Sequence, residues 1–122
     1  SLSVPYEHAM EHIKNLKYEL SEERTVMEDA VLDMHELKID NPQAKFLTDV
    51  EESAMSVVES ATILLAKVAE VEFHMVGNHE SGDHAVSLAL LNECKLCFDT
   101  LERRVNTIPT VMDLRRKYEN RV

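Results

Sequence analysis

The sequence predicts an all-α protein: an antiparallel three-helix bundle or coiled coil of long helices, forming a single domain over residues 1–122. Two observations lead to this prediction. Apolar residues recur at steps of three and four along most of the chain, which is the spacing of one helix face. The 122 residues include only two glycines, three prolines and no tryptophan, whereas sheet proteins need frequent turn residues and aromatic strands. We therefore expect no strand.

The first predicted helix spans about residues 4–39. Pro5 suits its first turn, where the N–H that proline lacks would have no partner. Pro42 prevents the helix from continuing, and Asn41 before it is a favourable cap for the next helix. Glu23 is the one polar residue on the three-four spacing. The apolar residues on it are Tyr6, Ala9, Ile13, Leu16, Leu20, Met27, Ala30, Met34 and Leu37.

The second predicted helix, about residues 42–76, carries an apolar seam that no polar residue interrupts. The seam consists of Leu47, Val50, Ala54, Val57, Ala61, Leu64, Val68, Val71 and Met75. Four residues widen it, which predicts neighbouring helices on two sides; they are Met55, Val58, Leu65 and Phe73. Thr48 and Glu51 form a capping-box pair, so a later start of the regular helix is an alternative.

A loop over residues 77–83 holds both glycines and separates the second helix from the third. Gly77 suits the left-handed position that often follows a helix, because it has no Cβ to clash with the backbone. Ser81 or Asp83 is expected to cap the third helix, since short polar side chains accept hydrogen bonds from free N–H groups in the first turn.

The third predicted helix spans about residues 83–120. Its apolar residues are Leu91, Cys94, Phe98, Leu101, Val105, Ile108 and Met112. Pro109 removes a backbone hydrogen bond inside this pattern, so the helix is expected to kink there, or to break and restart with Thr110 and Asp113 as a cap. Beyond the proline the apolar face shifts to Val111, Leu114 and Tyr118.

The net charge of −10 argues against nucleic acid or an anionic membrane as the main partner, since both require a cationic surface. The charge is uneven: residues 1–100 hold seven Lys and Arg against twenty Asp and Glu, while residues 101–122 hold six against three. No apolar run is long enough to span a bilayer, and the N-terminus does not resemble a signal peptide. We expect a cytoplasmic protein.

Two motifs suggest chemistry, and both have simpler interpretations. The stretch His8 to His12 matches the H-x-x-E-H pattern of inverted zinc peptidases, but a small solid bundle offers neither a third ligand nor a substrate cleft. Cys94 and Cys97 form a C-x-x-C inside a helix, whereas a redox pair belongs at a helix N-terminus. We interpret the histidines as surface residues and the cysteines as packed or half-exposed thiols.

Histidines also flank the glycine loop, where His79 and His84 lie near Glu80 and Asp83 in sequence. A di-iron bundle would show Glu-x-x-His on two helices, and that spacing does not occur in this chain. Nucleotide-binding loops and serine-centred catalytic motifs are absent as well. The sequence therefore predicts no enzyme, no metal site and no cofactor.

Several short segments together resemble the BAG-domain co-chaperones, in particular their divergent "brand new BAG" type, over about two thirds of the chain. The segments are Leu32-Asp33-Met34, Asn41 with Gln43, Leu47-Thr48-Asp49 with Glu51, Glu70-Val71, Val76-Gly77-Asn78, Leu101-Glu102-Arg103-Arg104-Val105 and Thr107-Ile108. The last two are similar to the basic segment of that family's final helix. The resemblance implies a homodimeric helical domain that docks on the nucleotide-binding domain of 70 kDa heat-shock chaperones and promotes ADP release.

On this interpretation the charged face of the third helix contacts the chaperone, and the expected partner-binding residues are Glu93, Asp99, Glu102, Arg103 and Arg104. The alternative is a solvated face, with intrahelical pairs such as Asp99 with Arg103. The competing function is a structural or scaffold bundle, spectrin-like or syntaxin-like, that self-associates or docks other helices. A symmetric homodimer is also expected, because the wide stripe of the second helix would leave apolar surface uncovered, together with residues off the main seam of the first helix, namely Val26, Val31 and Leu32.

Overall fold

The computed structural model describes residues 3–119, which form four helices. They are α1 (Ser3–Asp40), α2 (Lys45–Gly77), α3 (Ala85–Thr107) and α4 (Val111–Glu119). No strand occurs within the described residues, so the all-α prediction is confirmed. The third helix, predicted over about residues 83–120 with a kink or a break at Pro109, is broken there into α3 and α4, and its expected end at residue 120 lies outside the described range.

The apolar seam of α2 is the core of the protein, and all nine of its predicted residues are buried. As expected for a wide apolar stripe, α2 contacts helices on two sides, α1 and α3. The four residues beside the seam divide into two groups. Val58 and Leu65 are half-buried and pack against the core, whereas Met55 and Phe73 are exposed, so the neighbouring helices cover only part of the widened stripe.

The apolar residues of the predicted seam of α1 are buried except Tyr6, which is half-buried at the edge of the core. This helix contacts α2, α3 and α4. Two ion pairs join it to α2: Lys17 Nζ lies 3.0 Å from Glu72 Oε1, and Lys38 Nζ lies 3.6 Å from Glu51 Oε2. The early part of α1 therefore meets the late part of α2, and its last turn meets the beginning of α2.

The helix ends at the connection between α1 and α2 are not capped in the way that the sequence predicted. Asn41 does not cap α2; its Nδ2 donates to the Leu37 carbonyl at 3.0 Å and so closes the end of α1. Ala44 occupies the N-cap position of α2 without a side-chain hydrogen bond. The alternative start at Thr48 is also wrong, because the helix begins at Lys45.

The loop before α3 also differs from the prediction. Gly77 is the last residue of α2, and the left-handed position falls on Gly82, whose φ is 70°. Ser81 does not cap α3, because its hydroxyl donates to the Asn78 carbonyl and accepts from the Asp83 N–H within the loop. His84 stands at the N-cap of α3 without a side-chain cap bond. The loop is thus organised by its own hydrogen bonds.

The chain breaks around Pro109, as one of the two predicted outcomes required. Ile108 is extended, with φ −82° and ψ 127°, and α4 restarts with the Asp113 N–H donating to Thr110 Oγ1 at 3.2 Å. The break changes the helical phase, so Met112 is exposed rather than buried. Leu114 and Tyr118 instead complete a second small core with Met34, Leu37, Leu47 and Val50.

Candidate partner-binding surfaces

The five predicted partner-binding residues do not share one face of α3. The buried side of this helix is formed by Ser87, Leu91, Cys94, Phe98 and Leu101. At about 100° per residue, Arg104 falls on one flank of that buried stripe, Glu102 falls on the other flank, and Arg103 points outward. Glu93 and Asp99 lie about equally far from the centre of the stripe, Glu93 towards the side of Arg104 and Asp99 towards the side of Glu102. The structure therefore divides the predicted site among three surfaces.

Arg104 lies on the flank that faces α2 and is hydrogen-bonded to that helix. Its Nη2 donates to Ser56 Oγ at 2.7 Å, and its Nη1 donates to Ser60 Oγ at 3.3 Å. Both acceptors are neutral hydroxyls, so neither offsets the positive charge of the guanidinium. Glu93 lines a recess between α2 and α3 on this same flank, together with Lys67.

Glu102 lies on the opposite flank, towards α1, where it faces Glu23. The pKa of Glu23 is raised above its ordinary value of 4.5, first by burial and then by the negative charges of Glu102 and Glu19. Glu23 is the polar residue that interrupts the predicted seam of α1, and it is half-buried. A cluster of carboxylates therefore occupies the junction of α1 and α3.

Asp99 and Arg103 are exposed on the outward face of α3. The intrahelical contact between them is a 3.4 Å hydrogen bond from Arg103 Nε to the Asp99 backbone carbonyl. The Asp99 carboxylate is not the acceptor, so the pair expected for a solvated face does not form between the charged groups. Both charges remain open to a partner.

A groove of about 400 Å³ between α2 and α3 is a feature that the sequence patterns missed. Two aliphatic side chains on it are largely in solvent: Ile63 is 61% exposed and Leu96 is 67% exposed. Lys67 and Arg104 are the charged residues that line it. The only signal in the sequence was that Ile63 and Leu96 are apolar residues outside the buried seams.

A second groove, of about 370 Å³, lies between α1 and α2 and gathers residues that the sequence did single out. Val31, Leu32, Met55 and Val58 line it, with Glu28 and Glu59 as its charged residues. Leu32 is 66% exposed and Met55 is 49% exposed. Val26 is also exposed but does not line the groove. The apolar surface expected to remain for self-association is therefore concentrated here.

The two chemical motifs lie on different helices, the histidines on α1 and the cysteines on α3. His8, Glu11 and His12 are exposed on α1. Cys94 is a buried free thiol and Cys97 an exposed one. Burial raises the pKa of Cys94, the neighbouring Cys97 and Glu93 raise it further, and Lys67 opposes the shift. Cys94 is thus held as a protonated thiol.

The histidines of the glycine loop pack against an aromatic ring. The ring centroids of Tyr6 and His79 are 4.1 Å apart, and those of Tyr6 and His84 are 5.4 Å apart. Across residues 3–119, no three His, Cys, Asp or Glu side chains are grouped as metal ligands would be. None of the helices in that range combines the length and apolar content that a bilayer crossing requires.

Comparison with protein-family models, with characterised proteins and with solved structures finds no match to this chain.

Proposed function

We propose that this chain is a co-chaperone interaction module of the BAG type. In this proposal an antiparallel bundle of α1, α2 and α3 docks on the nucleotide-binding domain of a 70 kDa heat-shock chaperone and promotes ADP release. The pairing of Lys17 with Glu72 and of Lys38 with Glu51 supports the antiparallel arrangement. The resemblance supplies the class of partner, and the structure supplies a surface that suits docking.

The observation that carries the proposal is the position of the two adjacent arginines of α3. Arg104 is fixed across the helix boundary by Ser56 and Ser60 of α2, while Arg103 next to it is exposed on the outward face. Arginine can form two parallel hydrogen bonds to a carboxylate. A rigid pair of helices that presents such a group loses little conformational entropy when a partner binds it.

The mechanism would be a shift of population between two states of the partner. A module that binds the open nucleotide-binding domain more tightly than the closed one favours the open form. Because coupling between two ligands is reciprocal, the affinity of the chaperone for ADP falls by the same factor. The module needs no catalytic residue for this, only a surface that distinguishes the two forms.

The experiment is a measurement of the release of fluorescently labelled ADP from a chaperone nucleotide-binding domain, with and without the module. Wild-type protein is expected to accelerate release, and Arg103→Glu to abolish most of that acceleration while the melting temperature stays unchanged. Lys14→Glu, which makes the same charge change at an exposed position of α1, is the matched control. If the wild-type module does not accelerate the release of ADP, the proposed action on a chaperone is wrong.

The second candidate is a scaffold bundle that functions by self-association. The groove of Val31, Leu32, Met55 and Val58 favours it, because exposed contiguous apolar surface commonly marks an interface. We propose a symmetric homodimer through this groove. Dimerisation is compatible with both candidates, so the ADP-release measurement decides between them.

A further inference from the structure

The groove between α2 and α3 differs in charge from the rest of this protein. The whole chain has a net charge of −10, yet the nine residues that line this groove include two cations and no acid. Neither Lys67 nor Arg104 is joined to a carboxylate by an ion pair within the described residues. The groove between α1 and α2 has the opposite charge, because its charged residues are Glu28 and Glu59.

On α2, the apolar residues Ile63 and Leu64 lie between Ser60, which is bonded to Arg104, and Lys67. Leu64 and Leu101 are buried beneath it, and Ile63 and Leu96 stand on its two sides largely in solvent. When an amphipathic helix binds in a groove, its apolar face contacts exposed aliphatic side chains at the sides and buried apolar residues beneath them. The side chains of Ile63 and Leu96 would leave water when such a helix bound.

The spacing of the cations defines the partner further. Arg104 is hydrogen-bonded to both Ser56 and Ser60, and Lys67 follows these serines on α2 by two to three helical turns, which corresponds to about 10–16 Å along the axis. Glu70 and Glu93 line the adjoining recess, so the cationic stretch ends beyond Lys67. A helix that matches it carries acidic residues two to three turns apart with apolar residues between them.

We infer that the groove between α2 and α3 docks an amphipathic partner helix that presents apolar residues between two acidic ones. This inference rests on the proposed function as an interaction module and does not depend on the identity of the partner as a chaperone. Charge complementarity favours an acidic partner helix. A basic or neutral helix would leave the positive charges of Lys67 and Arg104 without a negative partner at the edges of the interface.

The test uses a fluorescein-labelled, alanine-based helical peptide with two glutamates two turns apart and two leucines between them on the same face. Fluorescence anisotropy measures its binding to the full chain. Two control peptides replace the glutamates by lysines or the leucines by alanines. The glutamate peptide is expected to bind at least about tenfold more tightly than either control, which corresponds to about 1.4 kcal/mol.

Two pairs of matched variants locate the binding site. Leu96→Glu and Val86→Glu add the same charge at aliphatic residues of α3 that are 67% and 73% exposed, but only Leu96 lines the groove. Lys67→Glu and Lys14→Glu reverse exposed lysines inside and outside it. Leu96→Glu and Lys67→Glu are expected to weaken binding at least about tenfold, and the two controls to leave it unchanged. Lys67→Glu should also strengthen binding of the lysine peptide, which a misfolded variant would not do.

Three outcomes would overturn the inference. The first is no binding of the glutamate peptide at millimolar concentration. The second is equal loss of binding in Leu96→Glu and Val86→Glu. The third is that Leu96→Glu alone dissociates a homodimer, which would show a second copy to be the occupant of this groove. If the peptide binds but the protein does not accelerate ADP release, the inference about the groove stands and only the proposed action on a chaperone is wrong.

Discussion

Arg104 of α3 is bound to Ser56 of α2 by a 2.7 Å hydrogen bond from Nη2 to the serine hydroxyl. Arg103, the preceding residue, donates instead to the Asp99 carbonyl within its own helix. Two arginines that are equivalent in the sequence thus have different surroundings. One links two helices, and the other is available to a partner, so the two must be tested separately.

Replacing Arg104 by alanine is expected to destabilise the protein by about 0.5–1.5 kcal/mol, because it removes hydrogen bonds between helices. Arg103→Ala is expected to change the free energy of unfolding by less than about 0.5 kcal/mol, as exposed substitutions usually do. Urea denaturation followed by circular dichroism measures both. Equal effects in the two variants would contradict a structural role for Arg104.

Leu64→Ala is expected to cost about 2–5 kcal/mol, the range for a leucine truncated inside a core. Leu64 is 6% exposed on the central seam of α2, whereas its neighbour Ile63 is 61% exposed. Ile63→Ala is therefore the control, with an expected loss below about 1 kcal/mol. A shift of the urea midpoint at constant m-value is the measurement, and a loss under about half a kcal/mol for Leu64→Ala would show that this position is not a core site.

Leu32→Glu is expected to convert the homodimer into a monomer, because it places a charge in the apolar groove between α1 and α2 next to Glu28 and Glu59. Sedimentation velocity at tens of micromolar measures the mass. Leu96→Glu should leave the dimer intact. A wild-type protein that is already monomeric at this concentration would remove the homodimer proposal.

Glu23→Gln is expected to stabilise the protein at neutral pH. The raised pKa of Glu23 means that the folded protein holds this proton more tightly than the unfolded chain does. The protonated carboxyl of Glu23 therefore stabilises the folded protein below pH 4.5. This stabilisation is lost as the pH rises through the raised pKa of the folded state. Repulsion between the carboxylates of Glu19 and Glu23, one turn apart, destabilises the helix by about 0.2–0.5 kcal/mol. The variant is therefore expected to raise the free energy of unfolding by an amount of that order.

The check on Glu23→Gln is the melting temperature at several pH values. The advantage of the variant should be largest at pH 7 and should shrink towards acid pH, where the wild-type carboxyl becomes protonated. Glu22→Gln, at an exposed neighbouring position, is the control. An advantage that is the same at all pH values, or the same in both variants, would rule out the carboxylate repulsion as its cause.

The sequence by itself determined the helical class and the buried stripe of each long helix. Every seam residue of α2 from Leu47 to Met75 is buried as predicted, because the three-four spacing of apolar residues defines one helix face whatever the neighbours are. The break at Pro109 was equally local, since proline cannot supply the backbone N–H that a continuous helix needs.

Only the tertiary structure decided how the helix ends are capped and which surfaces face a partner. Asn41 closes α1 rather than opening α2, because a side chain with several possible acceptors binds the one that the folded turn brings within reach. Likewise, Arg104 and Lys67 meet at one groove although 37 positions separate them in the chain. Periodicity reports which side of a helix is apolar, but a groove depends on the distance and rotation between two helices, which no single segment encodes.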